Sequence, residues 1–118
     1  MRQVGAQWED AALAHLQQSG LKLLDRNFNC RYGELDLVAR DRDVIVFVEV
    51  RYRSTSSRGD GAQSVGATKQ AKLVRAAQVY LQARPQLAAS PCRFDVVSCT
   101  GTAQQPQIEW TRAAFEAF

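Results

Sequence analysis

The sequence has few of the residues that build most catalytic and metal sites. His15 is the only histidine, which excludes a histidine-rich metal site and argues against a Ser-His or Cys-His triad. The three cysteines, Cys30, Cys92 and Cys99, are odd in number and include no CxxC pair. That pattern is typical of reduced cytosolic thiols and not of disulfides or zinc ligands. We therefore expect a cytoplasmic protein.

Long apolar runs are also missing. No stretch approaches the roughly 20 residues that a membrane span needs, and the N-terminal residues contain no apolar signal core. The net charge of +3 permits nucleic-acid binding but is too small to indicate it. A chain of 118 residues with 46% hydrophobic content fits one domain, here residues 1–118.

Hydrophobic periodicity predicts helices over 7–19 and 67–84, and strands over 21–29, 33–40, 46–53 and 92–100. A short strand over 107–111 and a terminal helical turn over 113–118 follow. The Ser- and Gly-rich stretch 54–66 is expected to be a flexible loop, and loops of this length are often functional. The order αβββαβ predicts an α/β fold, with a mixed sheet flanked by helices.

Two neighbouring strands carry charge where a structural strand carries neutral residues. The polar stretch 41–43 predicts a hairpin that makes these strands antiparallel. Alternation places Glu34 and Asp36 on one face of the first strand, and Glu49, Arg51 and Arg53 on one face of the second. The opposite faces are expected to supply the core through Leu35, Leu37, Val46, Val48 and Val50. If the charged faces coincide, carboxylates meet beside a cation, as in metal sites that handle phosphate.

Glu9 lies on the apolar stripe of the first helix, where a carboxylate is unfavourable. It either favours the helix dipole near the N-terminus or reaches the sheet beside Asp36 and Glu49. Two carboxylates about 4 Å apart repel by about 4 kcal/mol at an effective dielectric constant of about 20. A divalent cation removes that repulsion, and oxygen ligands without histidine favour Mg²⁺ or Mn²⁺. The alternative is a solvated sheet face with cross-strand ion pairs.

Other polar residues give weaker signals. Glu34 is a candidate supporting base or a solvent-facing residue, and Lys69 and Gln70 either point toward the sheet or merely begin the second helix. A further group of cations could follow a phosphate backbone or form a solvated surface. These cations are Arg53, Arg58, Lys72 and Arg75.

Taken together, the motifs resemble the restriction-endonuclease-like, or PD-(D/E)XK, nuclease superfamily. The closer resemblance is to the bacterial YraN-like family, which is similar to archaeal Holliday-junction resolvases. The resemblance covers nearly the whole domain. It rests on an acidic residue in the first helix and on residues 33–37 (GELDL), 47–53 (FVEVRYR), 69–70 (KQ) and 93–97 (RFDVV).

The resemblance implies a metal-dependent nuclease of DNA, acting on branched or repair intermediates, and by analogy a homodimer. Glu9, Asp36, Glu49 and the main-chain carbonyl of Val50 would bind Mg²⁺. Arg51 stands where the superfamily usually has lysine, and a guanidinium can stabilise phosphate charge but cannot accept a proton. Two alternatives stay open: a nucleic-acid-binding module without turnover, and an interaction protein whose charged sheet face binds a partner.

Overall fold

The computed structural model describes residues 5–53 and 65–116. Two helices and five strands account for most of them. The first helix precedes all the strands in the chain, and the second helix lies between the third and fourth strands. In chain order the elements are α1 (Ala6–Gln18), β1 (Lys22–Cys30), β2 (Gly33–Asp41), β3 (Val44–Tyr52), α2 (Ala67–Gln82), a 3-10 turn (Pro85–Leu87), β4 (Cys92–Gly101) and β5 (Pro106–Phe115).

The strands form one mixed sheet in the order β1-β2-β3-β4-β5. The predicted hairpin is confirmed, because β2 and β3 pair antiparallel from Asp41 and Val44 inward. β3 and β4 are parallel, so α2 is the crossover that returns the chain to the same end of the sheet. The α/β mixed-sheet prediction is therefore confirmed. None of the helices in the described part is both long and apolar enough to cross a membrane.

The sheet separates two hydrophobic clusters. One packs against α2 and contains Ile45, Phe47 and Tyr80; the other packs against α1 and contains Leu16, Val46 and Val48. A helix on each face buries both sides of the central strands, which explains why the middle residues of β2, β3 and β4 are buried on both faces of the sheet.

Strict alternation fails at one place in β2. We expected Leu35 and Leu37 on one face, but Leu35 lies in the cluster under α2 and Leu37 in the cluster under α1. Opposite this place in β1, between the pairs Phe28–Leu35 and Arg26–Leu37, Asn27 has a φ of 55°. The left-handed backbone at Asn27 and the end of the β2–β3 pairing at Leu37 leave Asp36 outside a regular pleat.

The predicted helical turn at 113–118 is wrong for its described part, because β5 continues as a strand to Phe115. Phe115 stacks on Phe94 with ring centroids 5.0 Å apart. The Ala113 N–H donates to the buried carboxylate of Asp95 at 2.9 Å, which fixes a residue with a φ of 51°. These tertiary contacts override the helix propensity of the Ala-rich segment.

Candidate active site

Asp36 and Glu49 lie where β2 and β3 separate. The last pair of this ladder is Leu37–Val48, so the two acidic residues come immediately beyond it, one on each strand. Asp36 is 2% exposed and Glu49 is 9% exposed. One Asp36 carboxylate oxygen accepts the Val50 N–H at 2.8 Å. The end of the ladder thus encloses two carboxyl groups at the edge of the apolar core.

Burial dominates the protonation of this pair. Burial first and the nearby charge of Glu49 second raise the pKa of Asp36 to about 8, against the lowering effect of the Val50 N–H. Burial also raises the pKa of Glu49, against the lowering effects of Lys69, Arg51 and a hydrogen bond with Asp36. At neutral pH the Asp36–Glu49 pair therefore retains one proton, which the two carboxyl groups share.

Lys69, in the first turns of α2, is the main counter-charge of Glu49. Its Nζ lies 3.6 Å from Glu49 Oε2. Gln70 has a different role. Its side-chain amide donates to the Val65 carbonyl at 2.7 Å and so connects the residues that precede α2 with the helix. Of the two polar residues suspected at the start of this helix, Lys69 faces the acidic pair and Gln70 supports the helix start.

Glu9 approaches from α1 on the other side of the sheet. Only 6% of the residue is exposed, and both its carboxylate oxygens accept from the Asn27 amide at 3.2 Å, while Arg26 Nε lies 3.4 Å from one of them. The Asn27 amide also donates to Glu34 at 3.1 Å. The charges of Glu9 and Glu34 add to the raised pKa of Asp36. Both acids therefore lie within electrostatic range of the pair.

The two arginines on the charged face of β3 are placed differently. Arg51 is half-buried, is level with Ser98 of β4, and lowers the pKa of Glu49. Arg53 lies two residues farther on and pairs with Glu109 of β5 at 3.3 Å. Arg51 therefore belongs to the acidic site and Arg53 to its edge. Arg58 falls outside the described residues.

The donor chemistry of the pair suits a hard divalent cation. Within residues 5–53 and 65–116, no three Asp, Glu, His or Cys side chains are arranged to hold a metal ion. Mg²⁺, however, is usually bound by one or two carboxylates together with water and substrate phosphate. Asp36 and Glu49 provide that minimal set, and two adjacent buried carboxyls with raised pKa values are the kind of site that a cation stabilises. Glu9 would join them only if it left Arg26 and Asn27.

Sequence reasoning missed Arg26 and Asn27, the residues that hold Glu9. One signal was present: asparagine tolerates positive φ and is uncommon inside a strand. Trp8, next to Glu9 on α1, stacks on Tyr52 at the end of β3 with ring centroids 4.6 Å apart.

Comparison with known proteins assigns the chain to a family. Residues 8–99 match the family model described as "Uncharacterised protein family UPF0102". The chain belongs to the UPF0102 family. The matched range contains every acidic residue discussed above except Glu109, and it also contains α2 and most of β4. The resemblance to the YraN-like family is thereby confirmed at the level of the family.

Curated UPF0102 relatives match almost end to end. A UPF0102 protein of Stutzerimonas stutzeri is 52% identical over 113 residues, covering 96% of this chain and 94% of the relative. One from Xanthomonas campestris pv. campestris is 54% identical over 114 residues, with 97% and 92% covered. A third, from Pseudomonas entomophila, is 49% identical over 109 residues, with 92% and 89% covered. Their names give the family and no activity.

Proposed function

We propose that this protein is a Mg²⁺- or Mn²⁺-dependent nuclease that hydrolyses phosphodiester bonds in DNA. The observation that supports the proposal best is the buried Asp36–Glu49 pair, flanked by Lys69 and Arg51. Two carboxyl groups buried in an apolar sheet cannot both ionise at low cost without a counter-charge, and a divalent cation supplies that charge in place of the shared proton. Phosphate chemistry is the reaction class for which carboxylates and cations are placed together in this way.

Each residue has a role that follows from its surroundings. Asp36 and Glu49 would hold the cation, and the Val50 N–H would keep Asp36 oriented. The bound metal would lower the pKa of a water molecule and offset the charge of the scissile phosphate. Arg51 would donate to the phosphate as negative charge develops, because a guanidinium stays protonated and cannot serve as the base. Glu34, which lies within electrostatic range of Asp36, would accept the proton.

A second candidate function is nucleic-acid binding without turnover. Its support is the set of cations on the surface near the acidic pair, which would bind phosphate whether or not a reaction follows. The two proposals differ in one measurable respect, since only the first requires Glu49. A cytoplasmic location is part of both proposals, and the free thiols of Cys30, Cys92 and Cys99 support it.

The test of the nuclease proposal uses Glu49→Gln, which keeps the shape of the side chain and removes its charge. Purified protein is incubated with linear, flapped and branched DNA in Mg²⁺ or Mn²⁺. We expect the variant to cleave about 10²–10³-fold more slowly, because a charge that holds the cation is lost. The matched control is Asp43→Asn, an exposed carboxylate in the hairpin at the far end of β2 and β3, and it should cleave like the unmodified protein.

Two results would count against the nuclease proposal. Cleavage that survives in Glu49→Gln would place the reaction elsewhere or in a contaminant. Absence of cleavage by the unmodified protein on every substrate, together with salt-dependent DNA binding, would favour the binding module.

A further inference from the structure

A second polar site lies on the outer side of α2, away from the acidic pair. It is centred on Tyr32, in the turn between β1 and β2. The guanidinium groups of Arg31 and Arg75 lie 5.1 Å and 5.4 Å from the centre of the Tyr32 ring. Beside them is a surface cavity of about 260 Å³, here called the Tyr32 pocket, lined by Tyr32, Arg75, Gln78, Val79 and Gln82.

The charge of this pocket is not neutralised by the protein. Arg26, Arg53, Arg84 and Arg93 each pair with a carboxylate. Among the described residues, neither Arg31 nor Arg75 has such a partner. Arg75 lines the pocket and Arg31 lies beside the same ring, so the pocket carries positive charge that a phosphate could neutralise through charge-assisted hydrogen bonds.

A row of cations connects the Tyr32 pocket with the acidic pair. Lys69, Lys72 and Arg75 follow one another at three-residue steps along α2, which is an inclined row on the helix surface. Lys69 contacts Glu49, and Arg75 contacts Tyr32. Between them, Lys72 lies over the start of β2, since a side-chain carbon at Gly33 would be 3.8 Å from Lys72 Cβ.

The length of this row is the distance along α2 from Lys69, which contacts the acidic pair, to Arg75, which contacts Tyr32. Six residues of α-helix rise by about 9 Å. At about 3.4 Å per nucleotide, the spacing along one strand of duplex DNA, that distance corresponds to about two or three nucleotides. A strand whose scissile phosphate lies at Glu49 could thus follow Lys69 and Lys72 and bring a nearby nucleotide to Tyr32.

We propose that the Tyr32 pocket binds an unpaired nucleotide of the DNA strand, with its phosphate at Arg31 and Arg75 and its base against the Tyr32 ring. This inference rests on the nuclease proposal for the position of the scissile phosphate. Bases stack on aromatic rings and on guanidinium planes, and only an unpaired base presents its face. The amides of Gln78 and Gln82 both donate and accept hydrogen bonds, so they can contact the edges of any base. The substrate class is therefore DNA with a single-stranded segment next to the cleavage point.

The experiment compares binding of labelled DNA in EDTA, where no cleavage occurs. A single-stranded oligonucleotide, a flapped duplex and a blunt duplex are measured by fluorescence anisotropy. Stacking of one base contributes about 1–3 kcal/mol, so Tyr32→Ala should weaken binding of the single strand and of the flap about 5- to 150-fold, and binding of the blunt duplex by less than about twofold. Tyr32→Phe keeps the ring and should bind like the unmodified protein. Arg75→Ala should reduce the slope of log affinity against log salt by about 0.7.

The chain offers a matched control in Arg112, whose guanidinium lies 3.9 Å from the centre of the Trp110 ring. Arg112→Ala also removes one positive charge and one cation–aromatic contact, but on β5, outside the row of cations. It should leave the single-strand preference unchanged. Circular dichroism of each variant verifies that the fold is retained.

The outcomes separate this inference from the nuclease proposal. Cleavage that depends on Glu49, with Tyr32→Ala binding single strands as well as the unmodified protein does, would overturn the Tyr32 pocket and leave the nuclease intact. If Tyr32→Ala lost single-strand binding and the unmodified protein cleaved no substrate, the Tyr32 pocket would stand as a binding site and the nuclease proposal would be overturned. Equal weakening on blunt duplex and single strand, or no binding of DNA at all, would also overturn the unpaired-nucleotide site. Single-stranded RNA of the same sequence serves as a further probe, and binding that depends on Tyr32 only for RNA would overturn the assignment to DNA.

Discussion

Replacing Asp36 by asparagine is expected to slow metal-dependent cleavage strongly and, at the same time, to make the protein more stable at pH 8 and above. Asparagine copies the protonated form of Asp36. Its oxygen can accept the Val50 N–H, and its NH₂ can donate to Glu49. Asparagine has no carboxylate, however, and so cannot provide the second charged ligand to a cation. We expect a decrease in cleavage of about 10²–10³-fold in Mg²⁺.

The stability gain follows from the raised pKa of Asp36, about 8, which burial causes first and the charge of Glu49 second. In the unfolded chain the same group ionises near pH 4. Between these values the folded protein keeps a proton that the unfolded chain has released. The free energy of unfolding therefore falls as pH rises, by up to about 1.4 kcal/mol per pH unit. The contribution is fully present below about pH 4 and is lost as the pH passes about 8.

Asp36→Asn removes this dependence, because its side chain does not titrate. Urea denaturation of the unmodified protein and the variant in EDTA, from pH 4 to pH 9, measures the difference directly. The curves should agree near pH 4 and diverge progressively, with the variant more stable by pH 8. Comparing the two proteins cancels the titration of the carboxylates that do not interact with Asp36. Parallel curves, or a variant that is less stable at pH 8, would show that Asp36 ionises as an ordinary surface carboxylate does.

Replacing Asp95 by alanine is expected to lower the free energy of unfolding by about 3–5 kcal/mol. The Asp95 carboxylate is almost completely buried and accepts from Arg93 Nε at 3.0 Å, from the Trp110 indole N–H at 2.9 Å and from the Ala113 N–H at 2.9 Å. Alanine would leave these donors unpaired inside the protein, and it would release the bend in β5 at Ala113. Since domains are typically stable by only about 5–15 kcal/mol, the variant should be close to unfolding at 37 °C.

Tryptophan fluorescence during urea denaturation measures this change. The matched control is Asp25→Ala, which also removes a carboxylate paired with an arginine, Arg84, at 3.2 Å, but at a partly exposed site. An ion pair of that kind contributes about 1 kcal/mol or less. If Asp95→Ala lowered the free energy of unfolding no more than Asp25→Ala does, the Asp95 carboxylate would not be a main source of stability for the β4–β5 hairpin.

Periodicity predicted the fold well where an element is long and one-sided. Both helices, the β2–β3 hairpin and the mixed sheet follow from it, and Glu9 on the apolar stripe of α1 is buried as its position indicated. The end of β5 could not be predicted in this way. Its Ala-rich sequence favours a helix, and only contacts with Phe94 and Asp95, distant in the chain, make it a strand.

The candidate site was predictable in composition but not in detail. Two charged strands joined by a short hairpin are sufficient to bring Asp36 and Glu49 together, since antiparallel register places their segments side by side. Local pattern could not show that the ladder ends at Leu37, that Asn27 adopts a left-handed backbone, or that Arg26 and Asn27 hold Glu9. Those features depend on how three elements meet, and not on the sequence of any one of them.

Titration calorimetry with Mn²⁺ near pH 7, repeated in buffers of different ionisation enthalpy, counts the protons that leave the protein when the metal binds. Displacement of the proton shared by Asp36 and Glu49 predicts the release of about one proton per metal, and no release from Asp36→Asn. Metal binding that releases no proton, or no metal binding by the unmodified protein, would contradict the proposal that a cation replaces the proton shared by Asp36 and Glu49.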